Sequence, residues 1–229
     1  MINAVIFDID NTLVDFMKMK QISVESAVDS MLDAGLSISR DKLIEEIYTV
    51  YWAEGIEDQF VFDKVLEKVL GKIDYKILAA GIVGYRRAKE GVMALYPHVH
   101  LTMAELTRMG IKMAVISDAP RLPVWMRIVR FHLHHYFDHV LTFDDTGERK
   151  PSEKPFRKVL ELMQLPADRV LMIGDWLERD IAGAKHVGMK TAFAKYGNVK
   201  VINPDINPDY VLADVYELVE IIKSQNNLP

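Results

Sequence analysis

Beyond Pro97, short β-rich apolar runs alternate with amphipathic helical stretches, and this alternation constrains the fold more than any other feature of the chain. Leu101 to Met109 has helical spacing, with Gly110 as its stop, and Lys112-Met113-Ala114-Val115-Ile116 reads as a strand ending at Ser117. Helix is then expected over Leu122 to Arg130, strand over Val140-Leu141-Thr142-Phe143, helix over Pro155 to Met163 and strand over Arg169 to Ile173. Ile181 to Val187 reads as helix, Lys190-Thr191-Ala192-Phe193 and Tyr210-Val211-Leu212 as strands, and Val215 to Lys223 as a last helix. Strand and helix in turn, with short connections, give a parallel sheet covered on both faces. Ala4-Val5-Ile6-Phe7 supplies one more buried-type strand near the N-terminus.

Between that first strand and Pro97 the pattern is different. The segment 15–95 contains no proline and reads as successive amphipathic helices, among them one through Asp41 to Ile47 and one over Phe62 to Leu70, with Gly35, Gly55 and Gly71 as stops. The expected class is therefore α/β: a Rossmann-like parallel-sheet core from 1–14 and 96–229, interrupted by an α-helical insert over 15–95. The length of 229 residues suits one large domain or one domain with a sizeable insert, at roughly 150 residues per domain. With 50% apolar and 27% charged residues the chain can bury a core, and low-complexity disorder does not describe it.

A net charge of −5 argues against broad electrostatic binding to nucleic acid or to an anionic membrane. The lack of cysteine excludes disulfides, thiolate zinc sites and cysteine nucleophiles. No apolar run approaches a membrane span, and the N-terminus lacks a basic leader, so a cytoplasmic location is expected.

The chemistry is concentrated where strands end. The first strand runs into Asp8, followed by Asp10 and Thr12. The second ends at Ser117-Asp118, the fourth at Gly174-Asp175 with Asp180 beyond, and Lys150 follows the third. In parallel sheets ligands bind beyond the carboxyl ends of the strands, so these residues converge on one pocket. Several carboxylates at close range raise one another's pKa, and a divalent cation relieves the repulsion. All-oxygen ligands favour magnesium, and a lysine and a hydroxyl beside it suit an anion with several oxygens. Those parts fit phosphoryl transfer to a carboxylate, without saying which aspartate attacks.

The four motifs, in order, resemble those of the haloacid dehalogenase superfamily, in the subfamily with a helical cap inserted after the first strand. They are Asp8-Ile9-Asp10-Asn11-Thr12, then Val115-Ile116-Ser117-Asp118, then Lys150-Pro151-Ser152-Glu153-Lys154-Pro155-Phe156, and finally Gly174-Asp175-Trp176-Leu177-Glu178-Arg179-Asp180. Many relatives have glycine where Asn11 stands, and asparagine tolerates the same left-handed backbone.

The resemblance implies that Asp8 is the nucleophile and that Asp10 protonates the leaving group and then deprotonates water. It further implies that Thr12 orients the loop, that Ser117 and the adjoining Asp118 belong to the phosphate-binding group, and that Lys150 neutralises charge on Asp8 and phosphate. Asp175 would bind Mg2+ with Asp8 and the Asp10 carbonyl, and Asp180 would hold Lys150 or a metal-bound water. The resemblance implies a magnesium-dependent phosphatase acting on a small phosphorylated metabolite, with the helical insert as a lid. Some relatives with similar motifs are glyceraldehyde-3-phosphate phosphatases, an analogy at the level of fold. Family dehalogenases lack an aspartate at the position of Asp10, because a halide leaves without a proton, whereas an alkoxide needs one.

Other readings remain open at this point. A sugar-phosphate mutase of the same superfamily would return the phosphoryl group to a sugar. A non-catalytic phospho-accepting module would share the acidic cluster and lysine but lack the second aspartate and the insert. Ser117 and Asp180 could simply cap helices. Lys154 competes with Lys150, although the spacing to Pro151 and Phe156 favours Lys150. His132, His134, His135 and His139 are expected at a solvated helix end, and Lys18, Lys20, Arg86 and Arg87 on solvated faces of the insert.

Overall fold

The computed structural model describes residues 1–200 and 202–228. The chain divides into two compact units, Met1–Asp15 with Leu95–Pro229, and Phe16–Ala94.

The first unit is built on six parallel strands: β1 (Ala4–Phe7), β2 (Lys112–Ile116), β3 (His139–Leu141), β4 (Val170–Gly174), β5 (Lys190–Ala194) and β6 (Tyr210–Leu212). Their spatial order is β3-β2-β1-β4-β5-β6. β1 and β4 are buried along their whole length, as continuous apolar runs in a sheet covered on both sides should be. The chain leaves β1 toward β2 and β3 on one side and returns to β4, β5 and β6 on the other. The strand order thus reverses at β1, the point at which open α/β sheets place their ligands. Phe7 is paired with Val115 on one side and Ile173 on the other, so Asp8, Ile116 and Gly174 come level at one end of the sheet.

The helices of both units are α1 (Phe16–Asp33), α2 (Arg40–Glu54), α3 (Val61–Leu70), α4 (Tyr75–Val92), α5 (Val99–Arg108), α6 (Arg121–Arg130), α7 (Phe143–Thr146), α8 (Glu153–Met163), α9 (Ala182–His186) and α10 (Glu217–Asn226). One sheet face, with Ala4, Ile6, Ala114, Ile116, Val170 and Met172, packs against Phe156, Val159 and Met163 of α8 and Ala184 of α9. The alternate strand positions Val5, Phe7, Met113, Val115, Leu171 and Ile173 are equally buried on the opposite face.

Two local expectations are corrected. The third strand stops at Leu141 instead of reaching Phe143, because the Asp145 carboxylate accepts from both the N–H and the hydroxyl of Thr142, at 2.8 and 2.6 Å. That capping box turns the chain into α7. The helix expected over Ile181 to Val187 starts earlier, as a wide turn over Leu177–Ile181 in which Ala182 N–H reaches back to the Leu177 carbonyl, and only then becomes α9.

The second unit holds α1 to α4 around its own core. Val24, Ala27, Val28 and Met31 form the inward stripe of α1, against Leu43, Ile47, Val65, Leu66, Ile77 and Leu78. Lys18, Arg86 and Arg87 are exposed as expected, but Lys20 is buried, with 4% of its surface accessible. It lies one turn before Val24 on the same stripe. Its Nζ donates to the Tyr85 hydroxyl at 2.9 Å and sits 3.9 Å above the Tyr51 ring. Two aromatic partners make the burial of that ammonium tolerable.

Phe156 is fully buried between α8 and the sheet. Phe156→Ala is expected to destabilise the first unit by about 3–5 kcal/mol, as truncation of a buried aromatic does. Urea unfolding followed by circular dichroism measures this, and a loss below about 1 kcal/mol would mean that α8 is not what holds this sheet face.

Candidate active site

Asp8 directly follows β1, and its N–H continues the sheet by donating to the Ile173 carbonyl at 2.9 Å. The chain then turns sharply. The Ile9 carbonyl accepts from the N–H groups of Thr12, Leu13 and Val14, and Asn11 takes a left-handed φ of 60°. The same turn is held from outside by the loop after β5. Tyr196 donates its hydroxyl to the Thr12 carbonyl at 2.7 Å, and a Cβ on Gly197 would lie 1.6 Å from the Asn11 carbonyl oxygen. Only glycine lets the two backbones approach that closely.

Lys150 is the hub. Its Nζ lies 2.6 Å from Asp8 Oδ1 and 2.6 Å from Asp180 Oδ1, and donates to the Ile116 carbonyl at 3.2 Å. All three side chains are buried. Lys154, the competing lysine, is exposed and pairs with Glu148 at 3.2 Å. Asp180 also accepts the Trp176 N–H at 3.0 Å, and a Cβ on Gly174 would meet the Asp180 carboxylate at 2.3 Å, so the glycine makes room for it.

Thr12 directs its hydroxyl toward Asp8 Oδ2 at 3.4 Å. Ser117, level with this group at the end of β2, accepts the Ala119 N–H at 3.2 Å and retains its own O–H for donation. Asp118 is turned to the scaffold. Its two oxygens accept the Lys150 N–H at 2.9 Å and the Arg179 guanidinium at 3.1 Å. Arg179 in turn stacks 3.9 Å from the centre of the Trp176 ring. The Asp10 carboxylate has Oδ1 3.1 Å from Arg127 Nε of α6.

Asp8, Asp175 and Asp180 each offer an oxygen within 4.8 Å of the others. It is the one such metal-compatible group among the described residues, and no histidine belongs to it. Burial, reinforced by Asp180 and Asp10 against the pull of Lys150, raises the Asp8 carboxyl to about 7. Burial, with Asp8 and Asp180, raises Asp175 to about 9, and burial likewise raises Asp180. Burial alone would lower Lys150, but Asp180 and Asp8 together hold it well above its usual value. One ammonium does not neutralise three buried carboxylates. A hard divalent cation with oxygen ligands fits the donor set and the surplus charge.

Arg127, Tyr196, Gly197 and Arg179 were not singled out from the sequence. Arg127 falls on the face of α6 shared by buried Val124 and Ile128, but Leu122, Trp125, Met126 and Val129 form an equally apolar stripe that is exposed. The spacing alone gives no way to tell which face turns inward.

Comparison with known proteins places the chain. Residues 5–194 match the model of the haloacid dehalogenase-like hydrolases, and the chain belongs to that family. A glyceraldehyde 3-phosphate phosphatase of Methanocaldococcus jannaschii is 34% identical over 98% of both chains. Another, from Pyrococcus furiosus, is 30% identical over 98% of this chain and 95% of its own. The fold is shared with the HAD-hydrolase YfnB of Bacillus subtilis, solved bound to magnesium, at a TM-score of 0.72 and 22% identity over 96% of this chain and 98% of that one. Among the described residues no helix is long and apolar enough to cross a membrane.

The raised carboxyls make stability depend on pH and metal together. Unfolded, Asp8 and Asp175 titrate near the usual 3.8; folded and metal-free, they titrate near 7 and 9. The folded state thus binds more protons, and the stability this contributes is full at low pH and is lost as pH rises through those values. Chelated protein is expected to lose melting temperature progressively from about pH 4 to about pH 9, and added Mg2+ to restore most at the alkaline end. Thermal scans with and without chelator measure this. A metal-induced rise that is greatest at the acid end would contradict the assignment.

Proposed function

We propose that this chain is a magnesium-dependent phosphatase that hydrolyses a small phosphorylated metabolite through an aspartyl-phosphate on Asp8. The observation that carries the proposal is the buried Asp8 carboxylate held 2.6 Å from the Lys150 ammonium, beside Asp175 and Asp180, at the point where the strand order reverses.

An Asp8 oxygen attacks phosphorus, and the bond from phosphorus to the leaving oxygen breaks. Asp10, two residues further along the loop, gives its proton to that oxygen. It then takes a proton from water, whose oxygen attacks the phosphorus of the aspartyl-phosphate and releases Asp8 and inorganic phosphate. Lys150 offsets the negative charge of Asp8 and of the incoming group, and Asp180 keeps the lysine in place. The Ser117 hydroxyl is a donor available to a phosphoryl oxygen. Asp8, Asp175 and the Asp10 carbonyl would hold Mg2+, which supplies charge neutralisation for the phosphoryl group. The relatives' names make glyceraldehyde 3-phosphate the first substrate to test.

Asp8→Asn is expected to lower phosphate release from glyceraldehyde 3-phosphate by several orders of magnitude with the fold intact, since removing a nucleophile disables a mechanism that acts as a unit. The assay is phosphate release in the presence of Mg2+, with circular dichroism as the control. Near-normal turnover, or radiolabelled phosphate trapped on another side chain, would reject Asp8. Exhaustive chelation of the native protein is expected to abolish turnover and Mg2+ to restore it. Undiminished activity after chelation would remove the metal from the mechanism.

A further inference from the structure

Arg127 faces the site from α6 with its side chain almost wholly buried, 4% exposed, and with Nε 3.1 Å from Asp10 Oδ1. We propose that Arg127 is a positioning residue for Asp10, fixing the direction of the carboxylate that serves as proton donor and acceptor. The inference rests on the role given above to Asp10.

Three observations lead to it. First, the loop hydrogen bonds that converge on the Ile9 carbonyl fix the backbone around Asp10 but not its side-chain torsions. The Asp10 side chain keeps 22% exposure and needs an anchor if it is to point one way. Second, Arg127 is itself anchored. It stands between Val124 and Ile128, both essentially inaccessible, on a helix that begins directly after the loop carrying Ser117. The segment that places the phosphate-side hydroxyl therefore also places the guanidinium. Third, a guanidinium stays ionised and presents a rigid planar fork, so it imposes an orientation on a carboxylate that a lysine would not. A buried cation of this kind is retained at a cost, which a counter-charge with a task offsets. Acid–base catalysis depends on placement within hydrogen-bond reach of the leaving oxygen, and a displacement near 1 Å can cost on the order of 100-fold in rate.

The test compares leaving groups. Glyceraldehyde 3-phosphate expels an alkoxide and needs the proton, whereas p-nitrophenyl phosphate expels a stabilised phenolate and needs it little. The quantity read is kcat/KM, which reports the first phosphoryl transfer, in Arg127→Gln, Arg127→Lys, Asp10→Asn and the double variant, all with Mg2+. Arg127→Gln is expected to lose about 10- to 100-fold on the alkyl ester and several-fold less on the aryl ester. The loss is expected in kcat with KM little changed, and Arg127→Lys should recover only part of it. Added to Asp10→Asn, Arg127→Gln is expected to cost nothing further on the alkyl ester, because the group it positions is already disabled.

Equal losses on both esters, a change confined to KM, or full additivity with Asp10→Asn would each overturn the proposal. If Arg127→Gln does not fold, Arg127→Lys carries the same comparison, and failure of both to fold assigns Arg127 to stability and overturns it as well. An Asp10→Asn variant that loses equally on both esters would instead reject Asp10 as the acid, an outcome distinct from the failure of Arg127.

Discussion

The ammonium of Lys150, shared between Asp8 and Asp180 at 2.6 Å each, ties together three parts of the chain that are remote in sequence. Asp8 ends the central strand, Asp180 lies in the wide turn after β4, and Lys150 comes from the segment after α7 and also donates to the Ile116 carbonyl of β2. Its backbone N–H is held in turn by Asp118, so the lysine is fixed at both ends. Withdrawing that charge would leave buried carboxylates facing one another with no compensation, the most expensive arrangement a protein interior can hold. The register of β1 with β2 and β4 brings these groups to one level, and the lysine makes their proximity tolerable.

The compensation is incomplete, and the shortfall is informative. Three buried aspartates share one ammonium, and the carboxyls of Asp8 and Asp175 are pushed up to about 7 and about 9. A chain selected only for stability would have neutral side chains here. Sites that violate the local rules in this way are where function is expected. Gly174 and Gly197 belong to the same pattern: each gives up a side chain so that Asp180 in one case and the Asn11 backbone in the other can come close.

The charged groups around this centre fall into two kinds. Asp118 and Arg179 brace the scaffold, the first by holding the Lys150 backbone and the second by pairing with Asp118 while its guanidinium stacks on the Trp176 ring. Arg127, buried on α6, instead lies beside the Asp10 carboxylate at 3.1 Å. In the helical unit the buried cation of Lys20 meets two tyrosines, the Tyr85 hydroxyl and the Tyr51 ring.

The alternation of apolar runs and helical stretches determined the α/β class, and the residues at the strand ends determined most of the centre, because a buried parallel strand is a continuous apolar run and its first polar residue marks where it surfaces. That is why Asp8, Ser117 and Asp175 were legible, whereas Lys150, beyond α7, was marked by its spacing to Pro151 and Phe156. The end of the third strand was not, since a hydrogen bond from Thr142 to Asp145 outweighed the strand preference of Thr142 and Phe143. Lys20 stood on the apolar stripe of its own helix, yet its burial depended on Tyr51 and Tyr85, which only folding brings to it. Arg127 lay hidden because α6 is apolar on two faces, and which one turns inward is settled by packing against the sheet, not by spacing along the helix. Residue type and local period fix what a segment can form; which side chains meet across distant segments is decided only when the strands take their register.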